Sequence, residues 1–259
     1  VYGLEPHGSG EVHGTACAEI VHEMAPDAAL YLAYYDGTLV SMGQAVDWLL
    51  SQGVQIISNS PTGVVGPMDG SDESAEMVDR AVARGVLWVN SSGNAAMEHY
   101  RAVFADADAN SLHEFPDGSE IIGLNVYGPQ VTIALNWDDW RAVSEDYDLY
   151  LFDEEGNLVA SAEDIQNGLA GQQAAELIIG NDVPLGVYYA SIKAAGTTRP
   201  GTLDLYTLNA DLEFPVAEHS LGSPADAQGA MAVGATEASD DSLASYSSQG
   251  ASNDGRLKP

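Results

Sequence analysis

The chain has 259 residues, room for one large α/β domain or two smaller ones. Its 39 acidic residues against 8 Lys and Arg give a formal charge of −31, which repels nucleic acid and anionic membrane surfaces, so neither is expected as a partner. Apolar runs break long before the ~20 residues that a membrane helix needs, and the single cysteine, Cys17, excludes a disulfide framework or a zinc site built on several thiolates. Such a surface suits a secreted protein, or one that works in salt. Val1 is not an initiator methionine and no charged-then-apolar leader opens the chain, so a processed or cut product is expected, at an extracellular or cell-surface location.

In chain order, Cys17, Ile20, Val21 and Met24 follow the helical period and predict a helix over residues 13–24. Residues 29–34 read as a strand. Met42, Val46, Leu49 and Leu50 mark a second helix, closed by Gly53 and followed by a buried strand over residues 54–57. Ser71 is suited to cap a third helix that turns Val78, Ala81 and Val82 inward, ends at Gly85 and leads into a strand over residues 86–89. Helices alternating with apolar strands imply a parallel sheet.

Beyond residue 105 the period changes from 3.6 to 2. Val131, Ile133, Leu135 and Trp137 alternate with more polar neighbours, and further strands are predicted over residues 121–126, 147–152, 158–161, 176–179, 187–192 and 202–208. Such runs, separated by Gly, Asp, Asn and Pro, suggest an antiparallel β-sandwich. Residues 230–235 then return to a small-residue apolar strand of the kind found inside parallel sheets. The expected fold is therefore an α/β domain over residues 1–104 and 214–259, interrupted by a β-sandwich at 105–213. The last 46 residues are too few for an independent core.

His13 opens the first helix, where a neutral imidazole can serve as a general base. Cys17 lies one turn on, so both side chains share a face; a Cys-His dyad is permitted there, although the apolar stripe favours an inert buried thiol. His7, His22, His99, His113 and His219 have no ligand partners at recognisable spacing. Taken together, several segments carry more. The sequence His13-Gly14-Thr15-Ala16-Cys17-Ala18 resembles the catalytic-histidine helix of the subtilisin-like (S8) serine peptidases, and Ala25-Pro26-Asp27-Ala28-Ala29-Leu30 resembles the segment after it. Ile56-Ile57-Ser58-Asn59-Ser60 is similar to the family's substrate-binding strand, and Val89-Asn90-Ser91-Ser92-Gly93-Asn94 to the stretch ending in its oxyanion-hole asparagine. Ser223-Pro224-Ala225, residues 232–236 and Tyr246-Ser247-Ser248-Gln249-Gly250 resemble segments that precede the nucleophile.

The resemblance implies a subtilisin-like parallel sheet flanked by helices and a Ser-His-Asp mechanism in which His13 is the base and Asn94 an oxyanion donor. It also implies that a polypeptide substrate is bound along main-chain edges: Ser58, Ser60, Pro61 and Thr62 on one side, Ser91, Ser92 and Gly93 on the other. Pro61 has no N–H to give, which makes that edge less regular. No aspartate precedes His13 and no Gly-Thr-Ser occurs anywhere, so the chain alone is expected to lack triad-dependent activity. The competing class is a non-catalytic binding module on the same scaffold.

No cofactor is required by such chemistry. Asp106, Asp108, Asn110 and Glu114 nevertheless sit at the first, third, fifth and ninth positions of a stretch, as oxygen ligands do in calcium loops, and are candidate ligands for a structural calcium. The sandwich, with Trp137-Asp138-Asp139-Trp140, faintly resembles the pre-peptidase C-terminal-like domains of secreted peptidases and reads as a folded spacer beside the cleft. Exposed sheet edges could pair two copies, so a homodimer is a further expectation.

Overall fold

The computed structural model describes residues 12–196 and 199–259; His7 lies outside them. Helix α1 (His13–Met24) has the expected bounds but no side-chain cap and no buried residue. Ile20 is 62% exposed and Met24 83%, so the stripe that predicted burial faces solvent. Residues 29–34 do not form the expected strand. A strand exists only through its ladder, and this segment makes none with the described residues; Leu30, Tyr31, Leu32 and Tyr34 are exposed.

Helix α2 (Leu39–Ser51) begins at Thr38, whose side chain accepts from the Ser41 N–H, and buries Met42 and Val46. Strand β1 (Ile56–Asn59) follows a turn through Gly53, whose φ of 72° suits a residue without Cβ. Helix α3 (Glu73–Ala83) is capped by Asp72, whose carboxylate accepts from Ala75 N–H, rather than by Ser71. Two adjacent residues could both cap, and Asp72 is the one with extended backbone next to the first turn. Ala75, Val78 and Ala81 are fully buried, and strand β2 (Leu87–Ser91) pairs parallel to β1.

Strand β3 (His99–Val103) was not signalled by the sequence, because Arg101 interrupts a short run, and it pairs with a strand more than a hundred residues away. There follow β4 (Ile122–Val126), β5 (Val131–Trp137), β6 (Tyr147–Phe152), β7 (Leu158–Ala162), β8 (Ala175–Gly180), β9 (Gly186–Ala194), β10 (Thr202–Leu208) and the short β11 (Ala210–Leu212). They make two antiparallel sheets, ordered β3-β10-β5-β8 and β11-β4-β9-β6-β7. One apolar core lies between them, with Trp137, Tyr147, Leu135, Leu149, Ile192 and Leu203 at its centre. Trp137 is therefore core and not an exposed recognition residue.

Strand β12 (Ala230–Val233) returns to pair parallel with β2, completing a three-stranded sheet β1-β2-β12. Helices α2 and α3 cover one face of it around Trp88 and Ile57. Ile56, Leu87, Met231 and Val233 on the other face are 42–60% exposed. The fold thus contains one small parallel sheet, two antiparallel sheets and few helices.

A buried polar seam joins the parallel and antiparallel parts. Asn136 in β5 accepts from Gly66 N–H at 3.0 Å and donates to the Val64 carbonyl at 2.9 Å, while Tyr206 Oη donates to the carbonyls of His219 and Leu221 at 3.1 Å each. Asp204 accepts from Arg101 at 2.5 Å and faces His99 Nε2 at 3.1 Å. Asn253 donates to Asp204 and to the Pro67 carbonyl. Burial alone would raise the Asp204 carboxyl, but His99 and Arg101 outweigh it and hold it below the usual carboxylate range.

Candidate functional site

The C-terminal ends of β1 and β2 point the same way because the pair is parallel, with Ser58 opposite Val89 and Asn59 opposite Asn90. Asn59 Nδ2 donates to Asn90 Oδ1 at 2.8 Å, and Trp88 Nε1 donates to the same oxygen at 3.1 Å. Beyond the strands, Ser91 Oγ donates to the Ser60 carbonyl at 2.5 Å and fixes the two following loops as facing walls. Between them lies a cavity of 240 Å³ lined by His13, Ser60, Pro61, Thr62, Ser91, Gly93 and Asn94, together with Glu98, Leu208, Ser220, Gly222 and Ser248. Ser58 and Ser92 line an adjoining depression that shares Ser60, Ser91, Gly93 and Asn94.

Two glycines keep the cavity open. Gly93 has φ of 104°, and a Cβ there would meet Ser248 Oγ at 3.0 Å and Thr62 Oγ1 at 3.2 Å. A Cβ on Gly222 would meet the Thr62 Cβ at 2.6 Å. Both positions therefore demand glycine by contact, Gly93 also by backbone conformation. Ser248 secures the loop after Asn94 by accepting from Ala95 N–H at 2.8 Å, and its own N–H donates to the Gly93 carbonyl at 2.9 Å. Asn94 is exposed, and its side-chain amide has no hydrogen-bond partner among the described residues. Its donor is free to meet a ligand oxygen.

His13 is exposed at the mouth of the cavity. Its Nε2 lies 3.6 Å from Cys17 Sγ, which is itself 3.5 Å from Ser60 Oγ. Cys17 is half-buried, so the expectation of a fully buried thiol fails: its sulfur meets the Ser60 loop, and α1 has no buried residue. Pro61 offers no N–H, and its carbonyl already accepts from Asn59 Nδ2 at 3.0 Å, so regular strand pairing at that point is reduced.

The loop of Asp106, Asp108, Asn110 and Glu114 stands apart from the cavity. Asp106 accepts from the N–H groups of Asn110 and Ser111 at 3.0 and 2.9 Å, and Asp108 accepts from Asn110 N–H at 3.2 Å. Asn110 Nδ2 donates to Glu120 at 2.5 Å. Among the described residues, no three His, Cys, Asp or Glu side chains converge as a metal would require. The loop's spacing serves its own backbone.

Several contributors to the cavity escaped sequence reasoning, Glu98 and Leu208 among them. Glu98 and Leu208 flank the ends of β3 and β10, and no local motif surrounds either; only the β3–β10 pairing carries them to the cavity.

Residues 4–126 match the model of the Subtilase family, Peptidase_S8, a span that takes in β1 and β2 of the parallel sheet and ends with β4. In structure, the chain is similar to the Clostridium perfringens CspB protease, with a TM-score of 0.59 at 12% identity over 86% of this chain. That similarity covers 51% of the CspB chain, so the present chain spans about half the length of its structural neighbour. No curated protein matches. In sequence, residues 4–126 are thus similar to the subtilisin-like, peptidase S8 family, and in structure the chain shares the fold of a clostridial protease.

Proposed function

We propose that this chain is a piece of the catalytic domain of a secreted subtilisin-like serine endopeptidase, in which residues 1–104 and 214–259 belong to the peptidase scaffold and a β-sandwich interrupts it. The observation that carries this reading is the single cavity shared by His13, Asn94 and the two loops that begin at Ser60 and Ser91. In peptide hydrolysis by a triad, a serine attacks the carbonyl and the histidine takes its proton, then returns it to the leaving amine; an amide donor steadies the negative oxygen of the tetrahedral intermediate. His13 is suited to the proton transfers and Asn94, with an unengaged amide, to the oxygen. The substrate's main chain would run between the loops of residues 58–62 and 91–93, adding its own hydrogen bonds to theirs.

With neither an aspartate before His13 nor a Gly-Thr-Ser in its sequence, the chain alone is proposed to hydrolyse nothing. The test is a longer polypeptide carrying flanking residues on both sides, assayed for proteolysis and for labelling by an active-site organophosphonate, beside its His13→Ala variant. Activity lost in the variant supports the reading. A folded, longer protein that neither cleaves nor labels moves the weight to a non-catalytic binding module, and phosphonate labelling of the isolated chain sinks the claim of inactivity.

A further inference from the structure

We infer that the cavity beside His13 and Asn94 receives a cationic side chain, lysine or arginine, and that Glu98 is the residue that selects it. This rests on the reading of the cavity as a peptide site and deepens it. Glu98 lines the cavity yet is only 6% exposed. Its Oε1 accepts from Asn209 N–H at 2.9 Å and from Tyr127 Oη, while its own carbonyl accepts from Thr207 N–H at 2.7 Å. The carboxylate is therefore clamped between the ends of β4 and β10 and cannot swing out to solvent. Among the described residues no lysine, arginine or histidine forms an ion pair with it.

A buried carboxylate without a cation is costly, and an incoming ammonium or guanidinium relieves that cost where a neutral side chain does not. Burial raises the Glu98 carboxyl above its ordinary range, against the hydrogen bonds from Tyr127 and Asn209 that lower it; a bound cation acts in the same direction as those bonds. The remaining walls fit the rest of such a side chain. Val64, Ala95 and Leu208 offer aliphatic surface to the methylene stem, as long basic side chains require. At 240 Å³ the cavity falls below the roughly 300–1,000 Å³ of sites for whole small molecules, consistent with one side chain as occupant. The charge of −31 draws cationic peptides toward the molecule before contact.

The experiment measures binding to the chain itself, by calorimetry, of three acetylated tetrapeptide amides that differ at the last residue: Ala-Ala-Ala-Arg, its citrulline counterpart and its leucine counterpart. Arginine is expected to bind about tenfold or more tighter than neutral, near-isosteric citrulline, the scale of one charge-assisted hydrogen bond. Glu98→Gln keeps an acceptor for Tyr127 and Asn209 and should collapse that ratio toward one. Should Glu98→Gln not fold, Leu208→Lys sets a competing ammonium in the cavity wall and should abolish the preference with Glu98 intact. Citrulline or leucine binding as tightly as arginine overturns the inference and leaves the peptide site standing. If no peptide binds, the peptide-site reading fails and the inference falls with it.

Discussion

Glu176 in β8 is 2% exposed and its Oε1 accepts from Gln166 Nε2 at 2.9 Å. Burial holds its carboxyl up at about 7, from an ordinary value near 4.5; the Gln166 bond opposes the rise, and Asp164 and Asp148 add to it. Between these values the folded chain keeps a proton that the unfolded chain has lost, so this group makes stability fall as pH rises from 4.5 through 7. Glu176→Gln removes the titration and preserves the shape. Its stability relative to the parent should be near zero at pH 4 and grow to about 1–3 kcal/mol in favour of the variant at pH 8, read by urea unfolding at both values. An equal difference at the two pH values would refute the assignment. His113 works in the opposite sense: buried with Ala105 N–H donating to Nδ1, it carries its proton on Nε2 toward Tyr100, and burial lowers it to about 4. His13 and Asn94 were legible as candidates because each sits inside a contiguous motif. Glu98 was not, since its setting is made by residues 127, 207 and 209, and a single sequence does not reveal which distant strands will meet.

Helices α2 and α3 and seven of the antiparallel strands follow from period and turn residues; all but β7, whose Leu158 and Val159 are exposed, bury side chains that their apolar spacing marks. The same rule found α1 but misjudged its surroundings: the stripe of Ile20, Val21 and Met24 is real, yet none of the described residues covers it. Residues 29–34 failed for the related reason that among the described residues no strand pairs with them, whatever their apolar run suggests. Strand β11 is three residues long, below what alternation can register. At this scale the acidic loop of residues 106–114 carries its own proposal, calcium binding. Because Asp106 and Asp108 already take the N–H groups of Asn110 and Ser111, an ion there would have to displace those bonds. Heat of binding together with a raised Tm on calcium titration supports the proposal, and a flat titration with an unchanged Tm ends it.

Over the whole molecule, two features oppose each other. The charge of −31 keeps copies apart, while the sheet face of Ile56, Leu87, Met231 and Val233 and the edge of β1, unpaired among the described residues, invite a second copy. Salt screens the first and leaves the second, so a homodimer through that edge should appear by light scattering as salt rises from ~0.05 to 1 M, where the Debye length falls to about 3 Å. A monomer mass throughout would exclude it. None of the described helices is long and apolar enough to cross a membrane. The return of the chain at residue 230 was legible in its small apolar residues, whereas the polar seam of Asp204, Arg101 and Asn253 was not, because its three members come from distant parts of the sequence and no local motif joins them. That return also sets a timetable for synthesis. Strand β2 emerges from the ribosome with one edge on β1, and its other neighbour, β12, follows only after all of β3–β11 has been made. At roughly 5–20 residues per second, the sandwich, whose strands pair among themselves, has seconds in which to fold first. The cavity walls at Gly222 and Ser248 therefore follow the sandwich in synthesis, and the cavity is completed on a sandwich that has had time to form.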